Sequence, residues 1–295
     1  MTEPRQTLSY LRTLLSEHGI RPKTKLGQNF LIDLNLIDLI VREAELTRDD
    51  LAFEVGTGTG SLTARLATHA GAVVSVEVDP AFYELAKANL ADRDNVCLIH
   101  RDILQGKNEL APEVLQALDE QATRFNCTRR KLVANLPYAV AAPLIGNLLV
   151  ADVPLERMVV TVQWEIAERL MATMGTKAYA ALAVFVQSVA DVTLLRKLAP
   201  SVFWPRPLVD SAIVKIVPNA QKRAQVGDVP RFRVFLRDLY VHRRKNLRAA
   251  LTGWPGGRRD KNEVEARLNE LGIDGNWRAE QLTIEQHQRL FRAFG

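Results

Sequence analysis

The sequence predicts an α/β protein: a mostly parallel sheet covered by helices, followed by a small C-terminal all-α domain. Three observations carry this. Apolar runs of strand length alternate with helical patterns from residue 35 to about 165. The runs are apolar on both faces, as strands buried in a parallel sheet are. After Pro218 the pattern changes to helical periodicity with an excess of basic residues.

In chain order, Leu51–Val55, Val73–Val78, Val96–Ile99, Leu132–Ala134 and Met158–Val162 are the strands. Ser61–Ala67, Ala81–Leu90 and Pro143–Val150 are the helices between them. Val189–Leu195 and Ala212–Val217 read as β, with a proline-rich loop between them, and suggest an antiparallel addition at the sheet edge. Asn219–Pro230 is polar, carries Gly227 and reads as a linker. Beyond it Phe232, Phe235, Leu236, Leu239, Tyr240, Leu247, Ala250 and Leu251 recur at helical spacing, with Arg233, Arg237, Arg244 and Arg248 on another face. That pattern predicts one basic amphipathic helix, stopped by Trp254-Pro255-Gly256-Gly257 and followed by shorter helices at Val264–Leu271 and Ile284–Phe294. The expected division is 1–218 and 219–295, which suits a chain of 295 residues.

Composition narrows the class. Hydrophobic residues at 47% and charged residues at 25% exclude long disorder and collagen-like sequence. Cys97 and Cys127 are too few for a disulfide framework and lack zinc-ligand spacing, so reduced thiols, no metal and a cytoplasmic address are expected. The opening MTEPRQTLSYLRTLL does not match a signal peptide. The stretch Tyr179–Leu195 is interrupted by Gln187, Ser188 and Asp191, so no membrane span is expected. From Asn219 onward 16 Lys and Arg face 9 Asp and Glu, a surplus of +7, which leaves −2 for the rest of a chain whose net charge is +5. Positive charge gathered on one segment favours a polyanion, although solvated helix surfaces also carry such charge.

The chemistry-bearing motifs follow strands. Glu54-Val55-Gly56-Thr57-Gly58-Thr59-Gly60 joins the first strand to a helix, and Gly56 and Gly58 let a ligand approach the backbone in a Rossmann-like turn. Glu77, 21 positions beyond Gly56, can accept hydrogen bonds from both ribose hydroxyls of an adenosine-containing cofactor. Ser61 stands where a third glycine would complete the dinucleotide pattern, so this turn leaves NAD and S-adenosylmethionine equally open. Asp102 could accept from an adenine amino group or simply cap a turn.

Asn135-Leu136-Pro137-Tyr138 tips the balance. It follows the fourth strand, at the sheet edge where open α/β folds bind ligands. The Asn135 carboxamide oxygen and the Leu136 carbonyl can accept both hydrogens of an exocyclic amine, Pro137 fixes the backbone, and Tyr138 offers a face for stacking. Methyl transfer to a base amine uses every part of this set; hydride transfer uses none of it. The competing reading is a proline turn with a buried tyrosine.

With these motifs in this order, the chain resembles the KsgA/Dim family of small-subunit rRNA adenine dimethyltransferases from about Lys25 to Leu251. Further landmarks are Gly27-Gln28-Asn29-Phe30-Leu31, Glu77-Val78-Asp79, Gln163-Trp164-Glu165, Lys177-Ala178-Tyr179, Phe203-Trp204-Pro205-Arg206-Pro207, Val209-Asp210-Ser211-Ala212 and Arg243-Arg244-Lys245. The resemblance implies a class I methyltransferase fold and S-adenosylmethionine held by Asn29, Leu31, Gly56, Gly58, Glu77, Asp102 and Asn135. It implies catalysis by Asn135, Leu136, Pro137, Tyr138 and Phe203, with Tyr138 and Phe203 sandwiching the target adenine. It also implies 16S rRNA, within the 30S subunit or its precursor, as partner of a cytoplasmic monomer. Two adjacent adenosines near the RNA 3′ end would become N6,N6-dimethyladenosine during subunit biogenesis. Arg237, Arg243, Arg244, Lys245 and Arg248 are the expected RNA-backbone contacts.

The sequence departs from the family pattern at Leu26, where Phe is usual, at Gly56-Thr57-Gly58 in place of Gly-Pro-Gly, and at Trp164 and Trp204. None of these changes removes a reacting group. Leu110–Arg130 is a longer connection than usual, polar and expected to be helical. Three rivals stand beside the main reading: an Erm-like enzyme for 23S rRNA, an assembly factor acting mainly by binding, and a NAD-dependent oxidoreductase on the same fold.

Overall fold

A computed structural model describes residues 8–23, 27–106, 109–151, 153–254 and 257–295. Glu3, Pro4, Lys25, Leu26 and the Pro255-Gly256 stop lie outside the described residues. The first half runs α1 Leu8–Glu17, β1 Phe30–Leu31, α2 Leu34–Ala44, β2 Asp50–Val55, α3 Ser61–His69, β3 Ala72–Glu77, α4 Pro80–Asn89, β4 Val96–His100, β5 Leu104–Gln105, β6 Glu109–Leu110, α5 Pro112–Arg124 and β7 Arg129–Asn135. It continues through α6 Ala141–Val150, β8 Leu155–Gln163, α7 Trp164–Met171, α8 Ala181–Val189, β9 Ala190–Leu198, β10 Phe203–Trp204 and β11 Ser211–Pro218. Five helices end the chain: α9 Ala220–Val226, α10 Val229–Val241, α11 Leu247–Thr252, α12 Lys261–Glu270 and α13 Ile284–Phe294.

Seven strands form the main sheet in the order β4-β3-β2-β7-β8-β11-β9. The first five are parallel, and β11 joins antiparallel to β8, as the sequence predicts. Every residue of β2 and β3 is buried, which explains why they are mainly apolar on both faces, with Asp50, Glu54, Ser75 and Glu77 as the buried polar exceptions. Caps set the helix starts: Asp33 accepts from the Asn35 N–H, and Asp79 from the Ala81 N–H with Pro80 in the first turn. The polar Leu110–Arg130 segment becomes the crossover helix α5, which buries Val114, Leu118 and Ala122 on the sheet and turns its charged side outward. A small core cluster joins the two-stranded β1–β10 ladder to the sheet through Leu31, Phe203, Ile37, Val133 and Val159.

Four expectations change. The chain divides into Met1–Ala167 with Thr193–Val217, and Glu168–Val192 with Pro218–Gly295, rather than at 218/219. The second unit therefore takes α8, including Val189, which the apolar run Val189–Leu195 had placed in a strand. Asn219–Pro230 is not a linker, because Asn219 caps α9 by accepting from the Lys222 N–H and Val226 is buried. The single basic helix over Phe232–Leu251 is two helices: α10 ends at Val241, and Asn246 starts α11 by accepting from the Ala249 N–H. The heptad-like spacing spans the break because both helices bury the same kind of face, with Phe232, Phe235, Leu236 and Leu239 in one and Leu247, Ala250 and Leu251 in the other.

Lys131 lies in the basic first half of β7, after Arg129 and Arg130, and is only 2% exposed. Its ammonium donates to the Glu45 carbonyl at 2.7 Å and to Asp50 Oδ2 at 3.1 Å, and Arg129 Nε donates to Asp50 Oδ1 at 2.8 Å. Burial pushes the Asp50 carboxyl up, but donors from Thr47 and Lys131 outweigh it and hold the group below the usual carboxylate range. The stability this contributes is complete above the unfolded-state value of about 3.9 and is lost as the pH falls toward the native value. Asp50→Ala leaves Lys131 with Glu156, 3.7 Å away and part-exposed, as its remaining counter-charge and should cost about 3–5 kcal/mol, measured by denaturant unfolding at neutral pH. A loss below about 1 kcal/mol would mean that Glu156 alone compensates the buried ammonium.

Candidate active site

The site begins where β2 ends. Gly56 and Gly58 adopt φ of +88° and +57°. A Cβ on Gly56 would sit 3.0 Å from the Pro137 ring, and one on Gly58 would sit 2.9 Å from the Phe30 ring. Glycine is thus required twice over, by conformation and by contact. The Gly56 N–H donates to the Val76 carbonyl at 2.8 Å, which locks the turn to β3.

Glu77 closes β3 and is held by three main-chain donors: Gly58 N–H to Oε2 at 2.8 Å, and Val78 N–H and Asp79 N–H to Oε1 at 3.0 and 2.9 Å. Oε1 thus has both its lone pairs engaged, and Oε2 retains one lone-pair direction for a ligand hydroxyl. Burial raises the Glu77 carboxyl above its ordinary value, partly offset by those donors. Next to it Asp79, itself 1% exposed, accepts from Lys23 at 2.8 Å and Gln28 at 3.2 Å, which ties the chain before β1 to the start of α4.

Asn135 ends β7, and its Nδ2 donates to the Asn29 carbonyl at 2.8 Å. That bond settles which end of the carboxamide is occupied and leaves Oδ1 as the acceptor. The Leu136 side chain is buried and its N–H donates to the Thr161 carbonyl at 3.2 Å, so the motif's backbone is pinned to β8. Tyr138 shares a 2.6 Å hydrogen bond between its hydroxyl and Ser211 Oγ. Phe203 pairs with Leu31 across the β1–β10 ladder and is 2% exposed.

One cleft of about 770 Å³ brings together Asn29, Leu31, Gly56, Gly58, Glu77 and Asn135. Asp102 does not line it. The Asp102 carboxylate accepts from the Leu104 N–H at 2.9 Å and lies in an adjoining depression of about 620 Å³, which shares Gly56, Glu77, Val78 and Pro137 with the cleft. The tight Tyr138–Phe203 sandwich expected from the sequence is not open: Phe203 presents no free face, because its ring fills the core between Leu31 and the sheet. Among the described residues no cluster of His, Cys, Asp or Glu could hold a metal ion, and no helix is long and apolar enough to cross a membrane.

Residues 19–294 match the model of the family described as ribosomal RNA adenine dimethylase. The chain belongs to that family. A protein of Geobacillus kaustophilus named ribosomal RNA small subunit methyltransferase A is 37% identical over 283 residues, 96% of this chain and 94% of the relative. A Staphylococcus epidermidis protein of the same name is 35% identical over 286 residues, 97% of this chain and 94% of the relative. Two solved structures share the fold: a dimethyladenosine transferase from Plasmodium falciparum, with TM-score 0.70, 23% identity and 88% and 94% of the two chains covered, and the 23S rRNA methyltransferase ErmE, with TM-score 0.61, 24% identity and 90% and 99% covered.

In this member of the rRNA adenine dimethylase family, one buried feature went unread in the sequence. Glu54 Oε2 accepts from Ser75 Oγ at 2.6 Å and Thr63 Oγ1 at 2.5 Å, and Ser75 shares a further 2.6 Å bond with Thr57 Oγ1. The available signal was Ser75 itself, a polar residue inside the apolar strand Val73–Val78. Burial pushes the Glu54 carboxyl up to about 8, opposed by the Ser75 and Thr63 hydroxyls and reinforced by Glu77. The cleft floor therefore holds a proton at neutral pH.

The sign follows from linkage. Unfolded Glu54 ionises near 4.3 or so and folded Glu54 near 8, so unfolding releases a proton between these values and stability falls as pH rises through that window. Glu54→Gln has no such proton. Its melting temperature should gain on the parent protein from about pH 5 to 8 and then run parallel. Melting curves that stay parallel over the whole range would show that Glu54 is already ionised.

Proposed function

We propose that the protein is an S-adenosylmethionine-dependent rRNA adenine-N6,N6-dimethyltransferase acting on the small-subunit 16S rRNA, on two adjacent adenosines near its 3′ end. The observation that carries this reading is Asn135. Its carboxamide is oriented by Asn29 so that Oδ1 is the acceptor, and it lines the same cleft as the glycine turn and Glu77. The substrate is RNA of the 30S subunit or its precursor, and the small-subunit names of the full-length relatives favour it over an Erm-like 23S target.

The residues present fit the cofactor. Gly56 and Gly58 form a cradle that a Cβ would obstruct, Glu77 offers an oriented carboxylate with a free lone pair on Oε2 to a ribose hydroxyl, and Asp102 faces the adjoining depression suited to an adenine. Asn29 and Leu31 close the cleft from the β1 side. When bound, S-adenosylmethionine supplies a methyl group on a sulfonium, which already carries a good leaving group.

The protein's share of the work is positioning. Asn135 Oδ1 and the Leu136 carbonyl accept the two N6 hydrogens of adenine. This draws the amine out of conjugation and points its lone pair into the cleft. No strong base is needed, because the nitrogen becomes acidic as it acquires the methyl group and its proton passes to solvent. Pro137 fixes the backbone that carries both acceptors, and Tyr138 supplies a stacking face worth about 1–3 kcal/mol. Phe203, 2% exposed beside Leu31, is the second stacking face that the family resemblance implies. The base enters unstacked.

Two of the five expected RNA-backbone residues are already engaged: Arg237 pairs with Asp238, and Arg248 makes a two-pronged pair with Glu265. Arg243, Arg244 and Lys245 are exposed in the turn after α10. They are the phosphate contacts of this proposal. In this reading the protein acts as a cytoplasmic monomer.

Incubating unmodified small subunits with labelled donor and mapping dimethyladenosine tests the assignment. Asn135→Ala should leave cofactor affinity partly intact by calorimetry and lower methyl transfer about a hundredfold or more. Transfer near the parent rate would remove Asn135 from the reaction. Replacing Arg243, Arg244 and Lys245 together by Ala should flatten the salt dependence of subunit binding by about two to three in log–log slope, and an unchanged slope would place the phosphate contacts elsewhere.

A further inference from the structure

Between Phe203 and Ser211 the chain forms a short loop fixed at both ends. At its start Phe203 is buried in the core, and Trp204 packs beside Leu11, Leu14 and Phe82 with the Arg12 guanidinium 5.8 Å from its ring. At its end Asp210 accepts the Trp164 N–H at 2.9 Å through its carbonyl and pairs with Lys197 at 3.2 Å. The Lys197 ammonium lies 4.2 Å from the Trp164 ring centroid. The next residue, Ser211, bonds Tyr138 of the amine pocket at 2.6 Å. Pro205 and Pro207 restrict the span between these anchors.

At the tip of this braced loop Leu208 is fully exposed, at 102% of its reference accessibility, and Val209 beside it is 45% exposed. Arg206 is exposed too and makes no ion pair among the described residues. A lone exposed leucine is ordinary. This one is held out on a restricted loop, next to an unpaired guanidinium, one hydrogen bond from the pocket that the target base must enter.

We propose that the 205–209 loop is an RNA wedge: Leu208 inserts into the base stack at the position vacated by the extruded adenine, while Arg206 holds the adjoining phosphate. The inference rests on the adenine-N6 reading above. An apolar side chain fills a vacated stack at low desolvation cost, and the insertion partly returns the cost of unstacking one step. The unpaired arginine makes an RNA strand the fitting occupant rather than an apolar protein surface, since phosphate neutralises it. Because Ser211 joins the loop to Tyr138, a seated wedge also fixes the pocket's stacking face. Leu208 is thus a positioning residue: it touches RNA but not the reacting atoms.

The test compares Leu208→Ser, Leu208→Met and Arg206→Gln in single-turnover methyl transfer to unmodified small subunits, with subunit affinity measured in parallel. Leu208→Ser should lower the rate at saturating subunits about tenfold or more, with cofactor affinity and melting temperature unchanged, and Leu208→Met should restore most of the rate. Arg206→Gln should instead weaken subunit affinity and reduce its salt slope by about one, with the saturated rate retained. A Leu208→Ser enzyme that transfers at the parent rate at saturation overturns the wedge. So does one that merely binds subunits more weakly, which would make Leu208 a docking contact with the particle. If the parent protein itself places no methyl on adenine N6, the underlying assignment fails, and that outcome is read from the unmutated enzyme alone.

Discussion

The site depends on a close approach that tolerates no Cβ. The turn after β2 passes so near Pro137 and Phe30 that Gly56 and Gly58 have no room for a side chain. That approach brings three chain segments, far apart in sequence, to one sheet edge: the glycine turn, the Asn135 motif and the Asn29–Leu31 stretch. A parallel sheet makes this possible, because the carboxyl ends of β2, β3 and β7 all open on the same side. Asn135 then closes the arrangement by donating to the Asn29 carbonyl. The bond that orients the Asn135 carboxamide is the same bond that tethers the β1 side of the cleft, so the proposed cofactor and amine pockets cannot be positioned independently.

Buried carboxylates mark the two ends of β2, and the physics at each end differs. Asp50 at the start of the strand meets Lys131, Arg129 and Thr47, so donors overcome burial and the group stays charged. Glu54 near the far end meets only hydroxyls and the like charge of Glu77, so burial dominates and the group keeps its proton. A neutral Glu54 spares the cleft floor a second negative charge beside Glu77, whose own carboxylate is the part offered to a ligand. One end of the strand secures the fold; the other sets the charge of the pocket.

Much of this was legible in the residues. Period and apolarity place the parallel strands, because burial on both faces leaves no alternative pattern, and the proline-rich break before Ser211 correctly announces the antiparallel addition at the edge. The glycine turn, Glu77 and Asn135 converge as expected because each follows a strand of the same sheet. Contacts distant in sequence were not legible. Val189 reads as strand because an apolar run has no period, and it is packing that makes it helical. The α10–α11 break is invisible to periodicity, since two short helices burying equivalent faces mimic one long one. Phe203 reads as an open stacking platform from its motif, whereas its pairing with Leu31 buries it.

The basic tail shows most clearly why counting charges is a weak guide to function. Its surplus suggests a continuous polyanion-binding face, yet several of its arginines serve the unit's own backbone. Arg267 reaches the Ala293 carbonyl, Arg289 the Leu271 carbonyl and Arg292 the Gln225 carbonyl, and Arg259 bonds the Phe294 carbonyl while lying over the Trp254 ring. Carbonyls at helix ends have no partner within the helix, and a guanidinium satisfies them while countering the negative end of the dipole. Small helices expose many such ends, so a unit built from short helices consumes positive charge in proportion to its number of termini. What remains free for a polyanion is the residue of that demand: a cation in a turn, beyond the last helical carbonyl and with no acidic partner among the described residues. Arg243, Arg244 and Lys245 meet that condition by position, and Arg248, bound to Glu265, does not.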